Sequence, residues 1–190
     1  MLAGAAIILI ITYLTYRLPI EPDEKKNKIN LCDMPLDRGD SECDAPASGL
    51  KWYYDKEMDE CYEYFYEGCG GGQNTFADDR SCQMRCIPAD EVKCGANTKP
   101  RGTCTREKQH CPIGTFCSLG PMGAGICCDK KNEEEWTKEL KPTCENGTLL
   151  TRKEWYGAAP QLGRNCSHRF CPENYKCIQT KHLAHCCLEH

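Results

Sequence analysis

The chain has 190 residues, 18 of them cysteine, and a formal net charge of −4. Cysteine at that density argues against one large apolar core and for a disulfide framework made in an oxidising compartment. The charge is split: residues 32–86 carry 13 acids and 5 bases, net −8, and residues 87–190 carry 12 acids and 15 bases, net +3. The acidic segment would repel nucleic acid, polyanions and anionic membrane, which leaves a basic partner or a plain solvated acidic surface.

Residues 1–20 open with an apolar run, Leu2 to Tyr16. At 15 residues it is short for a membrane span and right for a signal-peptide core. No Lys or Arg precedes it and no small-x-small cleavage site follows near Thr15, so a signal anchor is the alternative. Membrane association is expected only if this segment stays uncleaved. Residues 21–31 are polar and charged, a flexible lead-in.

Six cysteines follow between Cys32 and Cys86, spaced C-x10-C-x17-C-x7-C-x12-C-x3-C. Leu50–Asp55 and Cys61–Tyr66 are aromatic-rich, and the polar stretch Lys56–Glu60 between them predicts a β-hairpin. Asp78 is placed to cap a short helix. Cys82 and Cys86 are four apart on that helix and so share a face, expected to be turned toward the hairpin. A unit this small cannot fold on its core alone. A bridge closing roughly 55 residues adds on the order of 4 kcal/mol in the chain-entropy model. Six cysteines allow 15 pairings.

Lys51-Trp52-Tyr53-Tyr54, Tyr64-Phe65-Tyr66-Glu67-Gly68-Cys69 and Gln73-Asn74-Thr75-Phe76, together with these spacings, resemble the Kunitz (pancreatic trypsin inhibitor) family. The resemblance implies an α+β domain, a twisted two-stranded hairpin plus a C-terminal helix. It also implies bridges Cys32–Cys86, Cys43–Cys69 and Cys61–Cys82, and a serine-protease inhibitor as the functional class. Such an inhibitor presents a substrate-like loop held rigid at its second cysteine, so little entropy is lost on binding. By position that loop is Cys43, Asp44, Ala45 and Pro46, backed by Glu67, Gly68 and Cys69, with Asp44 entering the primary specificity pocket.

Ala45 suits the family and Asp44 departs from it. A trypsin-like pocket ends in a buried carboxylate, and placing Asp44 against it buries two like charges. A chymotrypsin-like pocket would desolvate the carboxylate without a partner. Only a protease that prefers acidic residues accepts Asp44. The segments on either side of Cys43 are each two residues longer than the family's, Ser41-Glu42 replaces its Gly-Pro, and Glu67 replaces the first glycine of its Gly-Gly-Cys. The register of the loop is therefore open. The same segment carries Arg38-Gly39-Asp40, the integrin-recognition tripeptide, whose two charges would have to project from a tight turn at a loop tip. A matrix or receptor protein is accordingly the alternative partner to a serine protease, with the Kunitz fold as a non-inhibitory scaffold.

Beyond a short linker, residues 94–128 read C-x9-C-x6-C-x5-C-x9-C-C and residues 144–187 read C-x21-C-x4-C-x5-C-x8-C-C. The shared Cys-Pro-x4-Cys and terminal Cys-Cys make an internal repeat, similar to the lustrin-type cysteine-rich repeats of nematode extracellular proteins. Neighbouring cysteines would be strained as a pair, so each is expected to reach a separate partner. Residues 129–143 form a charged linker with helical character, Trp136 and Leu140 lying four apart, and are expected to be a solvated connector.

Asn146-Gly147-Thr148 and Asn165-Cys166-Ser167 are glycosylation sequons. His182-x2-His185-Cys186-Cys187 superficially resembles a zinc set but has the spacing of no zinc module. Catalytic and phosphate-binding motifs are absent, so neither enzyme activity nor a cofactor or metal is expected. The expectation is a secreted extracellular protein.

Overall fold

A computed structural model describes residues 30–154 and 157–189. The apolar run Leu2–Tyr16 and nearly all of the lead-in lie outside the described residues. Strands β1 (Gly49–Asp55) and β2 (Glu60–Tyr66) form an antiparallel hairpin in register from Gly49 opposite Tyr66 to Asp55 opposite Glu60. The turn is set locally. The Asp55 carboxylate accepts the N–H groups of Glu57 and Met58 at 3.0 and 3.1 Å, and Asp59 takes a left-handed conformation (φ 52°) that Asp tolerates. Helix α1 (Asp79–Cys86) begins at Asp78, whose side chain accepts the Ser81 N–H at 2.8 Å. Cys82 is bonded to Cys61 in β2. Cys86 is bonded to Cys32, in the 3-10 turn Leu31–Asp33, so only one of the two helix cysteines grips the hairpin.

The next module holds β3 (Thr103–Thr105), β4 (Thr115–Leu119) and β5 (Ala124–Asp129), antiparallel in the order β3-β5-β4. Helix α2 (Lys130–Leu140) leads to the last module. There follow β6 (Gly147–Leu149), β7 (Thr151–Glu154), β8 (Gly157–Pro160), β9 (Leu162–Gly163), β10 (Lys176–Gln179) and β11 (Ala184–Glu189). Strand β11 pairs with β10, with β6 and with β9. The β10–β11 hairpin matches β4–β5, and β6 with β9 replaces β3. The long first gap of the second repeat is thus an excursion, the β7–β8 hairpin, that interrupts the edge strand.

Adjacent cysteines do reach separate partners: Cys127 and Cys128 bond Cys111 and Cys94, and Cys186 and Cys187 bond Cys171 and Cys144. Cys104–Cys117 and Cys166–Cys177 complete the two sets. In all three modules the first cysteine pairs with the sixth, the second with the fourth and the third with the fifth.

The modules do not pack as separate beads. Buried Tyr53, Met58, Tyr62 and Tyr64 of the first module enclose Leu183 of the last. Leu36, Ala96, Trp136 and Leu162 pack on the same cluster. Helix α2 corrects the expectation of a solvated connector. Trp136 packs on Gly95, and Glu139 is 8% exposed. Leu140, at 39%, is the more exposed of the expected apolar pair. A helix with a net-neutral charged surface can still dock when one aromatic and one satisfied carboxylate face inward.

Candidate functional site

Residues 40–48 form an unbroken exposed run. The ends of this arch are tied at three places, all on residues 68–69. Asp40 and Cys69 exchange backbone hydrogen bonds at 3.0 and 2.9 Å. Cys43 is bonded to Cys69. The Ala47 N–H donates to the Gly68 carbonyl at 3.3 Å. Gly68 has φ +117°, and a Cβ there would lie 2.7 Å from Pro46, so a side chain would push the loop off its support. Asp44, Ala45 and Pro46 lie within the arch, and exposed Asp40 and Glu42 make its surroundings acidic.

Arg38-Gly39-Asp40 is not a loop tip. Gly39 (φ +67°) lies against the Cys69 carbonyl, and Asp40 is backbone-paired there. The Arg38 side chain, 22% exposed, turns inward. It donates to the Phe65 carbonyl at 3.0 Å, to the Glu67 carboxylate and to the Ser167 carbonyl of the last module. The two charges do not project together here, so the geometry gives the integrin reading no support. Glu67 also accepts from Arg169 at 2.9 Å, and the Arg169 guanidinium lies 5.4 Å from the Phe65 ring centre. The sequence shows Glu67 as part of the support of the loop, standing where the family has a glycine. The partners of Glu67 are 29 and 102 residues away in the chain, and no local signal pointed to them.

Other contacts seat the last module on the hairpin. Arg164 meets Asp55 at 3.2 Å and Glu57 at 2.9 Å, and Gln161 donates to Glu63 at 2.6 Å. Arg152 lies 5.0 Å over the Trp52 ring. Burial lowers the His168 pKa, Asp55 opposes that shift, and Arg38 and Arg164 add to it. Glu139 accepts from the Thr180 hydroxyl, the His182 and Leu183 N–H groups at 2.8 and 2.9 Å, and lies 2.8 Å from His182 Nδ1. Burial alone would raise its pKa, and these bonds outweigh it and hold the pKa low.

Asn146 is exposed ahead of β6, and Asn165 accepts the Ser167 N–H at 2.9 Å as the cap of the 3-10 turn Cys166–His168. The sulfurs of Cys186 and Cys187 are in disulfides, so the His182–Cys187 set offers no thiolate to a metal.

A hairpin and a short helix stapled by three bridges, supporting an exposed loop tied at its second cysteine, define a small disulfide-stabilised module of the inhibitor type. The Kunitz/Bovine pancreatic trypsin inhibitor domain matches residues 31–87. A BPTI/Kunitz inhibitor domain-containing protein of Caenorhabditis elegans is 46% identical over 146 residues, spanning 76% of this chain and 82% of its own length. Major allergen Ani s 1 of Anisakis simplex is 31% identical over 169 residues, spanning 82% of this chain and 86% of its own. The Kunitz-type serine protease inhibitor textilinin-3 of Pseudonaja textilis textilis is 28% identical over 85 residues, 45% of this chain and 98% of its own. The chain belongs to the Kunitz family, and the two nematode relatives align well beyond the Kunitz segment itself. Among the described residues no helix is long and apolar enough to cross a membrane.

Proposed function

We propose that this chain is a secreted extracellular protein that binds a serine protease in substrate fashion through residues 43–46, with Asp44 in the primary specificity pocket. The observation that carries the reading is the exposed arch tied to Gly68 and Cys69 at three points, which limits the entropy lost on binding and would hold the ends of a cleaved loop together. The named inhibitor among the relatives supports the same class of partner. The charge at Asp44 selects the target. Its pocket must carry a cation or donor that pairs with a carboxylate, because an acidic pocket would bury like charges and an apolar one would strip the carboxylate of water unpaired.

The test is an inhibition titration of the oxidised full-length chain and its Asp44→Lys variant against trypsin, chymotrypsin, elastase and a serine endopeptidase that cleaves after acidic residues. The native chain should inhibit the acid-preferring enzyme alone, and the variant should gain trypsin. Silence of both chains toward all four enzymes would end the inhibitor reading and leave a non-inhibitory extracellular scaffold.

A further inference from the structure

We infer that the C-terminal module stiffens the protease-facing loop of the Kunitz module, with Arg169 as a positioning residue that acts through Glu67 and Arg38. The functional consequence rests on the reading proposed above, and the mechanical one does not.

Every tie that closes the arch lands on Gly68 or Cys69. Whatever holds the adjoining Glu67 therefore holds the floor of the loop. The Glu67 N–H donates to the Arg38 carbonyl at 3.0 Å, joining the floor to the segment that enters the arch. One oxygen of the Glu67 carboxylate accepts from both Arg38 and Arg169. Arg38 is held in turn by the Phe65 carbonyl and by the Ser167 carbonyl, two residues before Arg169. The turn Cys166–His168 that presents these groups is anchored by the Cys166–Cys177 bridge, and Arg169 closes it in a left-handed conformation (φ 54°). A non-glycine residue keeps that conformation only where its surroundings impose it. Two cations on one carboxylate, with the guanidinium groups further fixed by carbonyls and an aromatic face, form a network rather than an isolated surface pair. It spans 131 residues of chain, from Arg38 to Arg169. Arg169 and the Ser167 carbonyl thus add, from outside the Kunitz module, a restraint on the floor of the lengthened loop.

The experiment measures scission of the loop itself. The oxidised full-length chain is exposed to an endopeptidase specific for acidic residues, and cleavage after Glu42 or Asp44 is timed by mass spectrometry after reduction. Arg169→Ala should speed this cleavage by about tenfold, the equivalent of freeing one ordered element. Its melting temperature should stay near native, since the Arg169 side chain is 63% exposed. Glu67→Gln should act in the same direction. Lys176→Ala, which breaks a 2.7 Å ion pair with Glu189 in the same module, should leave the loop as slow as native. In the Asp44→Lys background, Arg169→Ala should weaken trypsin inhibition by a similar factor. Loop cleavage of Arg169→Ala within about twofold of native would overturn the inference. Clamp-dependent cleavage with no inhibition of any protease would keep the clamp and remove the inhibitor reading.

Discussion

Glu139 sits on a helix in which seven of eleven residues are charged, yet its carboxylate faces inward and caps the backbone of residues 180–183. Removing it strands two N–H groups. Glu139→Ala should cost about 2 kcal/mol in urea unfolding. Leu183, 1% exposed, packs among Tyr53, Met58, Tyr62 and Tyr64, and Leu183→Ala should cost about 3 kcal/mol. His168 gives the pH signature. Its folded pKa lies below the usual 6.5, so between the two values the unfolded chain binds the extra proton and folding weakens. Asp55, Arg38, Arg164 and the Tyr53 hydroxyl surround its ring. Relative to a His168→Gln variant, the native chain should lose stability as pH falls below about 6.5, and the difference should be constant above that. A flat difference across the whole range would show that the ring titrates freely.

The β7–β8 excursion and α2 are the elements that convert a repeat into a docking device. The excursion carries Arg152 to the Trp52 ring and Glu63, and α2 carries Trp136 and Glu139 to the seam. The sequence shows both as departures, a long cysteine gap and a charged spacer. It shows neither one's destination, because the partners lie in another module. The two sequons separate at the same scale. Asn146 lies in an open turn. Asn165 caps a 3-10 turn, and the middle residue of its sequon, Cys166, is tied to Cys177. Glycopeptide mapping of the secreted chain should find Asn146 occupied and Asn165 bare, and a glycan at Asn165 would mean that it is added before the Cys166–Cys177 bridge locks the sequon.

At the scale of the whole molecule, the opposite charges of the two halves meet each other in part. Asp55, Glu57, Asp59, Glu60, Glu63 and Glu67 of the acidic module face Arg164, Lys93, Arg152 and Arg169 from the remainder of the chain. The basic partner anticipated for this acidic surface is therefore partly in the same chain, and the acids of the loop remain for an external one. Because Leu183 and Trp136 share a core with Tyr53 and Tyr62, the three modules should unfold together. Calorimetry of the oxidised chain should give one transition whose van't Hoff and calorimetric enthalpies agree. Resolved transitions would return the modules to independence.

The sequence by itself determined the three sets of six cysteines, the aromatic hairpin, the Asp78 cap and the internal repeat. These are local facts, written in spacing, turn chemistry and capping over a few residues. It left open how each repeat is bridged, since cysteine spacing does not encode pairing. Only the tertiary structure decided that Arg38 turns inward rather than out, that Glu67 is a bridge rather than a lost glycine, and that the spacer is a packed helix. Each depends on a partner outside its own local element, 129 residues away for Arg38 and Ser167. A side chain's role there is set by what the folded chain brings beside it.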